Sequence, residues 1–222
     1  MYPIIKRIFD FVFALIALII LLPLIIPIIF ILMLTGEHEV FYFQKRVGFK
    51  KKDFYIWKFA TMLKNSPNIG SGIITLRNDP RVTRMGKILR ITKINELPQV
   101  INVLKGDMSL VGPRPLVRKS FELYPEEVKN IIYDSRPGIT GIGSIIFRDE
   151  EKIISEAPDM QSAYFKIYQY KGSLEKWYSK HRGFFTDLVI VFLTAWHVIF
   201  PKSNLVYRVF PSLPTKQSGG FN

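Results

Sequence analysis

The most constraining feature of this chain is an apolar run near its N-terminus. From Ile8 to Leu34 the only charged residue is Asp10, and two prolines, Pro23 and Pro27, interrupt the run. It exceeds the roughly 18–20 residues that a helix needs to cross a bilayer. It is also too long for a cleaved signal peptide and lacks a small-residue cleavage site. The sequence therefore predicts a membrane segment, which we assign to residues 1–36.

Two observations favour a re-entrant helix over a helix that spans the membrane. Pro23 lies in the middle of the run, where proline removes a helical hydrogen bond and favours a kink or a turn. Basic residues also flank both ends, with Lys6 and Arg7 before the run and Lys45 and Arg46 after it. Basic flanks prefer the cytoplasm. A helix that bends near Pro23 and leaves on the side where it entered accommodates the proline and keeps both basic flanks on the cytoplasmic side.

The rest of the chain predicts an α+β domain that is mostly helical and contains a small β-hairpin. Segments 40–47 and 54–59 are rich in aromatic and β-branched residues and predict the hairpin. Residues 63–74 predict a loop, and residues 81–105 and about 120–133 predict helices. The apolar stretch 184–200 predicts either an interfacial amphipathic helix or a buried core helix. We expect a cytosolic catalytic domain over 37–205 and a tail over 206–222, with 211–222 lacking fixed structure.

Charge and cysteine usage limit the partners and the compartment. The 222 residues carry a formal net charge of +13 and contain no cysteine. The charge favours an anionic partner such as lipid headgroups or a nucleotide diphosphate. The missing cysteines exclude disulfides and thiolate metal sites and are compatible with the cytosolic face of the inner membrane. Since no stacking motif accompanies the basic residues, we do not expect nucleic acid as a partner.

The densest group of candidate functional residues lies between Asn78 and Pro115. No glycine-rich phosphate loop is present, so a nucleotide would be held by arginines and helix starts. On a helix, Arg90 and Lys93 share a face and Glu96 lies one turn further along. This arrangement suits a diphosphate with a carboxylate beside it, although a solvated face with salt bridges is the commoner role of such residues. Arg114 lies between two prolines and suits phosphate recognition, with a structural turn as the alternative.

Six segments together resemble the bacterial sugar transferases, the monotopic phosphoglycosyl transferases that act on polyprenyl phosphate. The resemblance runs from about residue 5 to 200. The segments are Phe43-Gln44-Lys45-Arg46-Val47-Gly48, Asn78-Asp79-Pro80-Arg81-Val82-Thr83, Glu96-Leu97-Pro98-Gln99, Asn102-Val103-Leu104-Lys105-Gly106-Asp107-Met108-Ser109, Gly112-Pro113-Arg114-Pro115 and Arg136-Pro137-Gly138-Ile139-Thr140-Gly141.

The resemblance implies a two-step reaction with Mg²⁺. An aspartate of an Asp-Glu pair attacks the sugar-side phosphorus of a UDP-sugar and releases UMP, and the phosphosugar then passes to polyprenyl phosphate. Glu96 matches the glutamate of the pair and is the candidate metal ligand. Arg90 and Arg114 match phosphate-binding arginines, and the broken N-terminal helix of the family corresponds to the segment around Pro23.

Three further basic residues complete the candidate substrate-binding set. They are Arg81, Lys93 and Arg136. The first and last come from the matched segments, and Lys93 comes from the cationic cluster described above.

The nucleophile position is the main departure from the family pattern, because it is occupied by Asn95. A neutral amide has no anionic oxygen for nucleophilic attack and is a poor magnesium ligand. Ala60 replaces the usual arginine before Thr61-Met62, and residues 142–147 also differ from the family.

Three interpretations of Asn95 stay open. In the first, Asn95 is an engineered substitution that blocks the nucleophile of a phosphosugar transferase. In the second, the chain transfers the glycosyl group directly from a UDP-sugar to a polyprenyl-linked acceptor, with Glu96 as general base. In the third, the chain is an inactive membrane scaffold. The concerted changes at 142–147 slightly favour direct glycosyl transfer.

Overall fold

The computed structural model describes residues 2–68 and 79–214, with Pro67 described only through its backbone. Part of the predicted loop 63–74, Asn78 of the second matched segment, and residues 215–222 of the predicted tail lie outside the described residues.

Most of the described residues form helices, as the sequence predicts, and two small sheets accompany them. The helices are α1 (Tyr2–Leu34), α2 (Arg84–Ile91), α3 (Gln99–Lys105), α4 (Arg118–Phe121), α5 (Glu126–Ile131), α6 (Ile142–Ile146), α7 (Glu150–Ser155), α8 (Met160–His181), α9 (Phe184–Ile199) and α10 (Leu205–Val209). The strands are β1 (Phe41–Val47), β2 (Asp53–Phe59), β3 (Ser109–Val111) and β4 (Gly138–Thr140).

The predicted hairpin is confirmed. Strands β1 and β2 pair antiparallel, from Phe41 opposite Phe59 to Val47 opposite Asp53. The connection contains Lys50 and Lys51 in the left-handed conformation, with φ of 53° and 59°. Aromatic and β-branched residues suit the pleated surface that these strands present. The hairpin therefore forms where local sequence preference is strongest.

Helix α1 lies along the globular part of the protein over most of its length. It remains helical through Pro23 and Pro27, so the predicted change of direction near Pro23 stays a prediction. Its buried residues recur at the spacing of a single helix face. They are Asp10, Ala14, Ile25, Ile28 and Leu32. Both halves of the helix therefore pack on the same domain.

The basic residues that precede the apolar run anchor α1 to the domain. Lys6 donates to the carboxylate of Asp187 in α9 at 2.5 Å. The Arg7 guanidinium donates to the carbonyls of Val103 and Leu104 at 2.6 and 2.9 Å. Cations are favoured at a helix C-terminus such as that of α3, where carbonyls lack intrahelical partners. Both flanking charges are thus used inside the protein.

Asp10 is the single charge in the apolar run, and it too has a structural role. Its carboxylate accepts the backbone N–H of Leu110 at 3.0 Å, and the residue is only 3% exposed. One turn later, Ala14 is completely buried against Val103 and Met108. The small alanine allows α1 to approach the domain closely.

Residues 81–105 are mostly helical, as predicted, but Arg90, Lys93 and Glu96 do not lie on one helix as expected. Helix α2 ends at Ile91, and Lys93 adopts the left-handed conformation with φ of 61°. A short 3₁₀ turn at Ile94–Glu96 follows before α3 begins. Because an L-residue with positive φ cannot continue a right-handed helix, Arg90, Lys93 and Glu96 do not share one helical face.

The predicted helix over about 120–133 is divided into α4 and α5. Pro125 separates them, with an extended backbone at ψ of 148°. Proline disfavours helical geometry in the residue before it and removes a helical donor. Two short helices replace the predicted long one.

Helix α9 has one packed face and one open face. Asp187, Ile190, Leu193 and His197 are buried, whereas Phe185 is 80% exposed on the other side. A fully buried core helix is therefore excluded, and the open apolar face is compatible with an interfacial helix. The preceding helix α8, which the sequence analysis did not identify, forms much of the core beneath it.

Among the described residues, one helix passes the length and hydropathy criteria for a membrane-crossing segment. It is α1, and most of its apolar side chains are exposed. Exposed apolar patches of this size on a protein surface mark contact with lipid or with another protein.

We predict that Arg7→Met weakens the attachment of α1. The substitution retains the aliphatic bulk but removes hydrogen bonds to two carbonyls at a helix end, and charged hydrogen bonds contribute about 2 kcal/mol. The thermal midpoint in detergent should fall by roughly 5 °C. Lys119→Met, at an exposed position of α4, is the matched control. An equal midpoint in both variants would contradict the anchoring role.

Candidate active site

A cavity of about 370 Å³ brings together residues from distant parts of the chain. The hairpin, the turn between α2 and α3, the loop around Arg114, and helices α7 and α8 form its walls. Its charged lining residues are Glu39, Arg46, Lys58, Lys64, Arg81, Arg90, Lys93, Glu96, Arg114, Glu150 and Glu151. Among the described residues, seven cations thus face four carboxylates.

At the centre of this cavity the carboxylate of Glu96 lies between two cations. Its Oε1 accepts from Nζ of Lys58 at 2.8 Å and from the guanidinium of Arg114 at 3.1 Å. Burial alone would raise the pKa of Glu96, but the charges of Lys58 and Arg114 outweigh burial and hold that pKa well below its ordinary value. Glu96 is therefore an ionised carboxylate at neutral pH.

Burial has the opposite effect on Lys58. It lowers the pKa of Lys58 to about 8, although the nearby carboxylate of Glu96 partly offsets the effect. The ammonium is thus charged at neutral pH and becomes neutral in mildly alkaline solution.

The hairpin places Lys58 by simple strand alternation. Lys58 pairs with Tyr42 across the strands, and Gln44 and Arg46 follow on the same face of β1 because side chains alternate along a strand. All four line the cavity. A lysine inside the aromatic strand Phe-Tyr-Ile-Trp-Lys-Phe was the available signal, and the sequence analysis did not use it.

Arg46 is held almost entirely by the protein. Its guanidinium donates to the carbonyl of Pro115 at 3.0 Å and to the side chain of Gln44. Its Nε is buried and has no hydrogen-bond partner among the described residues. A buried, unsatisfied cationic donor is expensive to leave unpaired, and an anion in the cavity would satisfy it.

The position of Arg114 is fixed by two glycine-containing turns. A Cβ on Gly112 would lie 2.3 Å from the carbonyl oxygen of Arg136, and one on Gly138 would lie 2.1 Å from the nitrogen of Gly112. The backbones of the two matched segments therefore touch. Tyr133 adds a hydrogen bond to the Arg114 carbonyl at 3.0 Å. The stiff Gly-Pro-Arg-Pro loop thus directs one guanidinium toward Glu96.

Asn95 lies beside Glu96 in the 3₁₀ turn and lines the same cavity. The residue is 7% exposed, and its Oδ1 is buried without a hydrogen-bond partner among the described residues. Buried polar atoms are nearly always paired, and exceptions occur at functional sites. The atom that would carry charge in an aspartate is thus unengaged by the surrounding protein.

The other predicted cations behave differently from one another. Arg90 and Lys93 line the cavity, and Arg90 pairs with Glu151 in α7. Arg81 also lines it, but its guanidinium is buried in a two-point ion pair with Asp79 at 2.6 and 2.8 Å. Arg81 therefore supports the wall of the cavity more than it offers charge to a ligand.

Arg136 is not brought into the site. Its Nε donates to the carbonyl of Gly106 at 2.8 Å, and its guanidinium lies over the ring of Phe49 at 5.1 Å. It is absent from the described lining of the cavity. Its position gives no support to the predicted phosphate-binding role; Arg136 instead holds the end of α3 near the hairpin turn.

Helix α8 supplies a wall that the sequence analysis missed. Tyr164 and Tyr168 line the cavity beside Glu150. Lys171, one turn further along α8, is 4% exposed and pairs with Glu150 at 2.7 Å. Burial raises the pKa of the neighbouring Glu175 to about 7, with Lys171 partly offsetting it. These residues have no short motif, so only the fold brings them to the site.

The arrangement suits an anion with several phosphate oxygens. Guanidinium and ammonium groups line a cavity whose central carboxylate is largely buried, and charge-assisted hydrogen bonds are strong in such surroundings. No group of three or more metal-ligating side chains occurs within residues 2–68 and 79–214. A protein-only metal cage is therefore not formed by that part of the chain.

Comparison with known proteins agrees with the site. Residues 1–201 match the family described as bacterial sugar transferase. The chain is 36% identical over 195 residues to an Aeromonas hydrophila UDP-N-acetylgalactosamine-undecaprenyl-phosphate N-acetylgalactosaminephosphotransferase, covering 87% of this chain and 43% of the relative. It is 33% identical over 204 residues to the undecaprenyl-phosphate galactose phosphotransferase of Salmonella typhimurium, covering 86% of this chain and 39% of that protein.

A relative of similar size is the exopolysaccharide production protein ExoY of Sinorhizobium fredii. The identity is 32% over 203 residues, which cover 85% of this chain and 83% of ExoY. The chain thus spans less than half of the two longer relatives and most of the shorter one. Two of these three relatives are named as undecaprenyl-phosphate phosphotransferases, and the family match covers most of the chain. This chain therefore belongs to the bacterial sugar transferase family.

Proposed function

We propose that this chain is built to transfer a sugar 1-phosphate from a nucleoside diphosphate sugar, such as a UDP-sugar, to polyprenyl phosphate. The product would be a polyprenyl diphosphate sugar for exopolysaccharide or lipopolysaccharide synthesis. Two relatives named as undecaprenyl-phosphate sugar phosphotransferases support this choice, and the chain spans less than half the length of each.

The observation that carries the proposal is the cation cluster around Glu96. Lys58 and Arg114 contact one carboxylate oxygen, and Arg90 and Lys93 line the same cavity. A diphosphate placed there would meet fixed donors on several sides. Such donors stabilise charge that develops on a leaving phosphate without having to reorganise.

The proposed reaction exchanges one phosphorus–oxygen bond for another. The bond between the sugar-side phosphorus and the oxygen bridging to the α-phosphate breaks, and the nucleoside monophosphate leaves with the bonding electrons. A phosphate oxygen of the polyprenyl acceptor finally bonds to the same phosphorus. Sugar and phosphate therefore move together, and the bond between them stays intact.

Asn95 determines which route is open. An amide cannot form the enzyme-bound phosphosugar that an aspartate would form. The Oδ1 of Asn95 is buried in a residue that lines the cavity, so an aspartate there would carry a charged oxygen that no described residue holds. We therefore expect the two-step route to require aspartate at this position.

Direct glycosyl transfer is the second candidate, and Asn95 is the observation that favours it. This route needs Glu96 to accept a proton from an acceptor hydroxyl. The two cations that hold the pKa of Glu96 low make its carboxylate a weak base near neutral pH. That electrostatic setting favours phosphosugar transfer over glycosyl transfer. A scaffold without activity is the third candidate, and it would release no nucleotide.

Magnesium is proposed as the metal cofactor, with Glu96 as the protein ligand. The Oε1 of Glu96 is occupied by Lys58 and Arg114, and the unpaired Oδ1 of Asn95 is a second, weaker oxygen donor nearby. This donor set fits an ion that takes most of its ligands from water and from substrate phosphates, as Mg²⁺ commonly does. When bound, such an ion would neutralise charge on the diphosphate.

The proposed setting is the inner membrane, with the catalytic domain on the cytosolic face. Exposed apolar faces of α1 and α9 meet near Phe9 and Phe184, whose ring centroids are 5.3 Å apart. Two adjoining apolar helices suit insertion into one leaflet, with both ends of α1 on the domain side.

We predict that Asn95→Asp increases the release of UMP from a UDP-sugar in the presence of polyprenyl phosphate. The new carboxylate supplies the missing nucleophile, and the rise should be at least about a hundredfold. Asn95→Ala is the matched control and should show no gain. UDP release by the unsubstituted chain would instead support glycosyl transfer, and no nucleotide from either protein would support a scaffold.

We predict that UDP binding weakens in alkaline solution. The ammonium of Lys58 is present below its pKa of about 8 and is lost above it, so affinity should be constant below that pH. Above it, affinity should fall by up to about tenfold per pH unit. Calorimetric titration measures this profile. Lys58→Arg keeps the positive charge and should abolish the decline, and an unchanged decline in that variant would contradict the assignment.

We predict that both ends of α1 lie on one side of the membrane. Because the chain has no cysteine, single cysteines at Pro3, Glu37 and Lys119 can be labelled individually with a membrane-impermeant maleimide. All three positions are exposed. They should react together in inverted vesicles and be protected together in intact cells. Opposite behaviour of Pro3 and Glu37 would show a spanning helix.

A further inference from the structure

A second cavity lies between the C-terminal end of α1 and helix α2. Its volume is about 470 Å³, within the range of ligand pockets. Its lining residues are Ile31, Leu32, Thr35, Gly36, Glu37, Glu39, Ala60, Met62, Thr83, Arg84, Met85 and Ile88. We call it the α1–α2 groove.

The groove adjoins the candidate active site. Glu39, Ala60 and Met62 line both cavities. Ala60 directly follows β2 and stands two residues after Lys58, so the junction is close in sequence to the cation cluster. A methyl side chain at this junction leaves room that a larger residue would fill.

At its far side the groove borders the exposed apolar surface. Ile31 at the end of α1 is 38% exposed, and Ile88 in α2 is 58% exposed. Ile91, one turn after Ile88, is 69% exposed. Apolar side chains thus continue from the outer surface, along the groove, to the junction at Ala60.

Charged groups lie along the edge of the groove. Arg84 and Glu37 line it, and Glu39 pairs with Lys64 at 2.8 Å at a highly exposed position. The apolar floor matches the hydrocarbon part of an amphiphile, and the cations that suit an anionic head lie beyond Ala60 in the active-site cavity.

We propose that the α1–α2 groove holds the isoprenoid chain of a polyprenyl phosphate, whose phosphate passes Ala60 to reach the cation cluster. This inference rests on the proposed function for the identity of the acceptor. The continuity of the groove with the active-site cavity favours this occupant over an ordinary phospholipid, since only a reacting lipid needs its head beside Lys58 and Glu96.

Photolabelling of the full chain in detergent tests the proposal. The probe is a polyprenyl phosphate with a diazirine in its first isoprene units, and labelled peptides are identified by mass spectrometry. Labels should map to the end of α1 and to α2, around Ile31, Met62, Met85 and Ile88. Labels spread over the exposed faces of α1 and α9 would overturn the proposal.

Variants that block the groove give a quantitative test through the labelling and binding of the probe. Ala60→Trp should reduce labelling and weaken binding of the probe by about tenfold or more, because the indole fills the junction. Ile88→Trp, at a half-exposed position that tolerates bulk, should also reduce labelling. Ile199→Trp, on the open face of α9, is the matched control and should leave it unchanged. Circular dichroism and a retained thermal midpoint verify that each variant is folded, and unchanged labelling in both groove variants would overturn the proposal.

Competition with unlabelled lipids distinguishes polyprenyl phosphate from an ordinary phospholipid as the occupant of the groove. Excess unlabelled polyprenyl phosphate should suppress the labels, whereas phosphatidylglycerol at the same concentration should not. Equal suppression by both lipids would identify a general lipid groove and overturn the specific assignment.

Failure of the groove and failure of the proposed function give different results. If Asn95→Asp releases UMP on addition of polyprenyl phosphate and the added Ala60→Trp change has no effect, the function stands and the groove is wrong. If labelling follows the groove but neither protein releases UMP, the groove stands and the proposed function is wrong.

Discussion

The ion cluster of Glu96, Lys58 and Arg114 is the interaction on which the site depends. It joins the hairpin, the turn between α2 and α3, and the Gly-Pro-Arg-Pro loop through contacts of 2.8 and 3.1 Å. Removing a charge from such a cluster leaves its partners buried and uncompensated, which is strongly unfavourable. The charges of Lys58 and Arg114 keep Glu96 ionised, and burial brings the pKa of Lys58 down to about 8. A diphosphate bound in the cavity would balance the excess of positive charge around this cluster, which is why the cluster suits the proposed ligand.

Helix α1 relates this cluster to the membrane. Lys6, Arg7 and Asp10 fix its N-terminal third to α9, α3 and the start of β3, while its last turns pack beside β2 and α2. Most other side chains of α1 are apolar and exposed. A helix attached in this way keeps the cation cluster next to the apolar surface. Under the proposed function, this placement would let a nucleotide sugar come from water and a polyprenyl phosphate come from lipid.

Local signals in the sequence predicted the hairpin, the family and the membership of Glu96 and Arg114 in the candidate site. Features that depend on the complete fold were missed. The left-handed turn at Lys93 was missed because a lysine gives no local signal for a positive φ, so Arg90, Lys93 and Glu96 were expected on one helix. Lys58, Tyr168 and Lys171 reach the site through pairing and packing across the chain, and no motif carries them. Arg136 belongs to a matched segment, yet its side chain donates to the carbonyl of Gly106 at the end of α3 and is not part of the described cavity lining. Segment resemblance thus locates a site more reliably than it assigns each side chain within it.

The central claim is that sugar and phosphate move together to the lipid, and the fate of the sugar-side phosphorus tests it most directly. The Asn95→Asp chain would receive a UDP-sugar labelled at its β-phosphorus together with polyprenyl phosphate, and the lipid and water-soluble products would be separated. We expect the label to pass to the lipid fraction along with the sugar. A labelled UDP beside an unlabelled lipid-linked sugar would contradict it.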